Sequence, residues 1–182
     1  WQKLDNDREY PEEFVKALTD SGYLACLIPK KYGGSGLPLE AAGVILEEIH
    51  RSGSNGAACH AQMYIMGALL RHGSQKQKEF YLPKISEGKL RLQAFGVTEP
   101  DAGTATLSIK TKAELIANRY VINGQKVWTS RAEYSDLMLL LARTSNDKKL
   151  KRTEGLSLFL INMQRAKSEG MTIKPIKTMI NH

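Results

Sequence analysis

The chain has 182 residues, 42% of them hydrophobic and 25% charged, with a formal net charge of +7. This is ordinary globular composition with enough apolar material for a core, and its length suits one domain or two small ones. No apolar run reaches the ~18 residues of a membrane-spanning helix, and the polar, acidic start WQKLDNDREYPEEF is not a signal peptide. With no initiating Met, the chain is expected to be a piece of something longer.

Helices are predicted first. Pro11, Glu12 and Glu13 open one, with Phe14, Val15 and Leu18 at helical spacing and Gly22 as its stop. The stretch LIPKKYGGSGLP, residues 27–38, is too rich in Gly and Pro to be helical. A second helix is expected near 39–51, with Val44, Ile45 and Ile49 on one side. GAACHAQMYIMGALL, residues 56–70, carries almost no charge and reads as a buried central helix stopped by Gly73. Ser74 then N-caps another helix, with Gln77 as its capping-box partner, and Pro83 breaks or bends it. Cys26 and Cys59 sit in apolar surroundings and read as buried free thiols of a reducing compartment.

From about residue 91 the period changes to two. Leu107, Ile109 and Thr111 alternate with Ser108, Lys110 and Lys112, as in a half-buried strand. Asn123-Gly124 lies between two strand-like runs and predicts a tight hairpin turn. LMLLLA (137–142) fits a strand covered on both faces, and GLSLFLIN (155–162) and MTIKPIK (171–177) complete the set. Helices followed by strands predict an α+β fold, with the boundary near Arg91 dividing residues 1–91 from 92–182.

The stretch FGVTEPDAGTAT, residues 95–106, follows a predicted strand. Gly96 and Gly103 let the main chain approach a ligand, and Thr98, Thr104 and Thr106 supply hydroxyls. Such a loop can hold a heteroaromatic ring edge or a pyrophosphate through oriented backbone groups; it is equally compatible with a plain Pro-Asp turn and linker. Neither a P-loop nor GxGxxG occurs.

Residues 98–105, TEPDAGTA, followed by YVINGQKVWTS and SDLMLLLAR, resemble the acyl-CoA dehydrogenase pattern of a TEP-x-AGS-D loop, NG-x-K-x-W-I-T-N and a strand ending in AR. Upstream, IPKKYGGSG, LEEIHR and HGSQKQKEFYLPKISEGK resemble further segments of that family, in order, so that the resemblance covers residues 20–178. It implies a helical N-terminal bundle, a β-barrel-like middle domain and FAD lying against the latter, with the family's C-terminal helical domain absent from this chain. Carried across residue by residue, Phe95, Val97 and Thr98 flank the isoalloxazine ring. Gly103 and Thr104 meet the FAD pyrophosphate, Thr104 also nearing the CoA portion of the substrate. Trp128 packs on the flavin, and Ser130 places its hydroxyl or N–H at N5. The implied reaction is α,β-dehydrogenation of an acyl-CoA thioester in fatty-acid β-oxidation, with electron-transfer flavoprotein as acceptor and a homo-oligomeric enzyme. Location would be cytoplasmic in a bacterium or the mitochondrial matrix in a eukaryote.

Five positions depart from the pattern: Thr104-Ala105 replaces Ser-Asp, Thr129-Ser130 replaces Ile-Thr, and Arg131 replaces Asn. The implied base is a Glu of the C-terminal domain, beyond residue 182, so no catalytic base is assigned. Glu99, Glu47 and Glu48 are read as structural, and the polypeptide alone is expected to bind FAD weakly and turn nothing over. The four histidines lack metal-site spacing, so no metal is expected. Alternatives are an acyl-CoA oxidase-like flavoenzyme, an interaction domain that binds no flavin and, prompted by the basic second half of the chain with its run DKKLKR at 147–152, a DNA-associated non-catalytic relative. That run also reads as a solvated loop; it has no interleaved aromatics, and nucleic acid is not the expected partner.

Overall fold

In the computed structural model, which describes residues 1–147, 149 and 151–178, helices fill the first half and strands the second. Lys148 and Leu150 of the basic run, and His182, lie outside the described residues. The short helix α1 (Gln2–Asp7) has no counterpart in the sequence reading. Helix α2 (Glu12–Asp20) buries Val15 and Leu18. The chain then turns at Gly22, whose φ of 76° suits a residue without Cβ.

Helix α3 (Leu39–Arg51) buries Ala42 and Ile49. Val44, expected beside Ile49, is instead 59% exposed. Five residues along a helix turn the chain about 140° away, so the two cannot share a face. The central helix α4 (Ala57–His72) buries Cys59, Met63, Ile65, Met66 and Leu69, but His60 and Tyr64 reach the surface. Helix α5 (Gln75–Ser86) begins with the expected capping box: Gln77 N donates to Ser74 Oγ at 3.2 Å, and Ser74 N donates to Gln77 Oε1 at 2.8 Å. Pro83 does not end it; so near the last turn, the missing N–H costs a single ladder bond.

Five strands follow: β1 (Leu92–Gly96), β2 (Lys112–Ile116), β3 (Arg119–Asn123), β4 (Leu137–Arg143) and β5 (Leu156–Asn162), then a helix α6 (Met163–Ser168). Strand β4 is central. It runs parallel to β1, with Gly96 opposite Leu140, and antiparallel to β5, with Leu140 opposite Phe159. Lys112 of β2 meets Arg143 at its far end. The alternation of β4 explains its unbroken apolar run. Leu137 and Leu139 join a core with Ile65, Met66, Leu82 and Ile85 of α4 and α5, while Met138 and Leu140 pack with Ala94 and Met163 on the opposite face. Helices and sheet therefore share one core across β1 and β4.

Three expectations are corrected. Leu107, Ile109 and Thr111 form no strand, because a short 3₁₀ turn covers Thr106–Ser108 and the N–H groups of Lys110 and Thr111 go to the Glu99 carboxylate. The hairpin turns at Ala117 and Asn118, both left-handed at φ 46° and 64°, and not at Asn123-Gly124. Gly124 serves close approach instead: a Cβ there would lie 2.3 Å from Thr111 Oγ1. Residues 171–177 pair with no strand among the described residues.

Candidate functional site

Strand β1 carries the chain from the shared core to the stretch 95–106. Phe95, half-buried, meets Tyr64 of α4 edge-on at 6.0 Å, so the helical half supplies one wall here. Gly96 lies flat against the sheet, since a Cβ there would meet Leu140 Cδ1 at 3.0 Å and Met138 Sδ at 3.2 Å. Val97 and Thr98 leave the strand half-buried.

Glu99 anchors the loop beyond β1. Its main chain closes a tight turn with Ala102 through two reciprocal bonds of 3.0 and 3.1 Å. Its carboxylate accepts Lys110 N at 2.6 Å, Thr111 N at 2.9 Å and Lys126 Nζ at 2.9 Å. Burial works to raise its pKa, but these donors prevail and hold it down to about 2. A carboxylate so fully engaged cannot serve as a proton acceptor, and the structural reading of Glu99 holds. Beyond the turn, Gly103 and Thr104 are exposed, and a Cβ on Gly103 would meet nothing within 4 Å.

A second segment comes alongside. Val127 N donates to Thr98 O at 2.9 Å, and Lys126 Nζ donates to Val97 O at 2.9 Å. These bonds seat residues 126–131 against the end of β1. Trp128 then takes a left-handed φ of 61° and leaves its indole 63% exposed. That conformation costs a side-chain-bearing residue about 1–2 kcal/mol, and the exposed ring recovers none of it within the chain. Ser130 is exposed, while the Thr129 hydroxyl is buried with no partner among the described residues. Arg131 is half-buried near Tyr10 and Tyr64; burial pushes its guanidinium below its ordinary pKa, against the pull of the two phenols.

The structure thus brings Val97, Thr98, Trp128 and Ser130 together. Phe95 stands behind them against α4, and Gly103 and Thr104 lie farther along the open loop, joined to the others by no bond among the described residues. Lys126 went unassigned in the sequence reading. Its signal was the one cation between the hairpin and Trp128, in a strand-like run. The residues fit the flavin that the resemblance implies. A strained, outward-facing indole, the hydroxyls of Thr98 and Ser130, and a Thr98 N–H with no acceptor among the described residues offer a broad apolar face and donors in one place.

Other features are separate. A cleft of about 550 Å³ is lined by Arg143, Lys151 and Arg152 with Ser108 and Ser145, and by none of Val97, Thr98, Trp128 or Ser130. Both arginines spend donors on Leu107 O, at 2.7 and 3.3 Å. No group of metal ligands occurs among the described residues.

Known proteins match both halves. The family model described as acyl-CoA dehydrogenase, N-terminal domain, matches residues 1–89, and that described as acyl-CoA dehydrogenase, middle domain, matches residues 94–181. Glutaryl-CoA dehydrogenase of Desulfococcus multivorans is 35% identical over 163 residues, covering 86% of this chain and 41% of its own. Mitochondrial isovaleryl-CoA dehydrogenase of Pongo abelii is 37% identical over 148 residues, covering 79% and 34%. A glutaryl-CoA dehydrogenase solved with glutaryl-CoA superposes at a TM-score of 0.76 with 32% identity, over 88% of this chain and 41% of that one. The chain spans 34–41% of the length of these relatives. With helical and sheet halves both matched, in the same order, the chain belongs to the acyl-CoA dehydrogenase family.

Proposed function

We propose that this chain carries the flavin seat of an FAD-dependent enzyme that introduces an α,β double bond into an acyl-CoA thioester. The observation that carries the reading is the Val127 to Thr98 bond, which sets an exposed Trp128 and Ser130 beside the end of β1. FAD supplies, when bound, the acceptor for the hydride leaving the β carbon. Phe95 and Val97 shield the site from water on the sheet side. Trp128 gives a rigid apolar face, and Thr98 and Ser130 give hydrogen-bond donors that hold and tune the ring. Gly103 and Thr104, on the open loop, suit the pyrophosphate, with Thr104 also turned to the CoA portion of the substrate.

No carboxylate of the described site is free to take the α proton, since Glu99 is fully engaged. The base belongs to a part of the enzyme beyond this chain, as do contacts of a homo-oligomer. Electrons pass on to an electron-transfer flavoprotein, in a bacterial cytoplasm or a mitochondrial matrix.

Stopped-flow mixing of the complete enzyme with acyl-CoA tests this. Flavin absorbance should bleach in the unaltered enzyme, and Ser130→Ala should slow the bleaching more than it weakens substrate binding. An unaltered enzyme that no acyl-CoA bleaches would refute the reading.

A further inference from the structure

Lys126 and Glu99 form an enclosed ion pair, their side chains 9% and 5% exposed. Seven other ion pairs among the described residues each have at least one side chain that is half or more exposed. Enclosed pairs are poor sources of stability, because desolvation offsets their attraction. This one links no two helices or strands. It joins the loop after β1 to the segment before Trp128, the two stretches from which the flavin seat is built.

The peptide between Val97 and Thr98 shows what the link does. Its carbonyl oxygen accepts from Lys126 Nζ at 2.9 Å. In a planar trans peptide the C=O and N–H point in opposite directions. The Thr98 N–H therefore points away from the enclosed ammonium, and no acceptor takes it among the described residues. The next carbonyl, of Thr98, is held by Val127 N at 2.9 Å. Two successive residues thus pin two successive carbonyls, and the N–H between them is fixed in direction. Glu99 completes the arrangement by accepting from the same ammonium at 2.9 Å. The lysine stem runs beside Gly96, where a Cβ would stand 3.5 Å from Lys126 Cγ.

We propose that Lys126, steadied by Glu99, is a positioning residue for the flavin: it locks the 97–98 peptide so that the Thr98 N–H stands ready to donate to an acceptor on the isoalloxazine edge. The proposal rests on the flavin reading of this site. A donor aimed before the ligand arrives needs no reorganisation, and a hydrogen bond to the ring tunes its electron affinity.

The test uses the complete enzyme with Lys126→Met and Lys126→Arg. Lys126→Met should weaken flavin binding about tenfold, as expected for one lost hydrogen bond. It should also shift the long-wavelength flavin band and lower kcat with KM nearly unchanged. Lys126→Arg, which keeps a cationic donor, should restore most of each. Amide hydrogen exchange in the unaltered enzyme gives a second reading that does not depend on a variant folding: adding flavin should slow exchange at Thr98. A flavin-loaded Lys126→Met enzyme with unaltered affinity, spectrum and kcat overturns the proposal alone, as does Thr98 exchange indifferent to flavin. An unaltered enzyme that takes up no flavin overturns the underlying reading as well.

Discussion

Replacing Glu99 by Gln removes one charge and little volume from a site where three donors converge. In the folded chain burial works to raise the Glu99 pKa, but the hydrogen bonds lower it from 4.5 to about 2. A depressed carboxyl contributes stability in full above its unfolded pKa, and that contribution is lost as pH falls through the folded value. At ~1.4 kcal/mol per pKa unit, the shift is worth about 3 kcal/mol at neutral pH. Part is returned at Lys126, where burial lowers the ammonium pKa against the pull of Glu99. Among the donors, the Lys110 N–H lowers the Glu99 pKa most, and Lys126 is not the leading contributor. Glu99→Gln should cost about 2–3 kcal/mol in urea titrations at neutral pH. For a chain of this size that lowers Tm by about 5–10 °C. The gap between the two proteins should close as pH falls from 4.5 toward about 2. A gap that stays constant with pH, or one below ~1 kcal/mol at neutral pH, would refute the reasoning.

Leu139→Ala cuts a side chain from the core shared by helices and sheet; urea unfolding should show a loss of about 2–5 kcal/mol, in a single transition. Gly124→Ala drives a methyl to 2.3 Å from Thr111 Oγ1, and thermal unfolding should register a loss of about 1–3 kcal/mol. Cys26 and Cys59 are buried and free; burial raises both thiols, Cys59 up to about 12. A disulfide reagent should find neither in the native chain and both in urea, and rapid native labelling would contradict the packing of α4.

Local signals that agree with their surroundings were legible. The Ser74 cap with Gln77 works on its own turn, and the apolar run of β4 is covered on both faces as its composition requires. The failures came where a distant group competed for the backbone. Alternation at Leu107–Thr111 looked like a strand until the Glu99 carboxylate, from the other side of a loop, took two of its N–H groups. Asn123-Gly124 had the composition of a turn, but its glycine answers to Thr111, and a hairpin with Ala117-Asn118 at its tip carries no such obvious marker. In the site, the sequence named the residues on both segments. What it could not supply was the Lys126 bridge, because a lysine beside a strand reads as solvent-facing until its partners are placed.

The core spanning β1 and β4 bears on how this polypeptide is made. Helices α2 to α5 leave the ribosome before the strands, and the surface formed by Met66, Leu82 and Ile85 lacks part of its cover until Leu137 and Leu139 are synthesised. A nascent chain paused in that interval would offer an adhesive apolar face to chaperones or to its own copies.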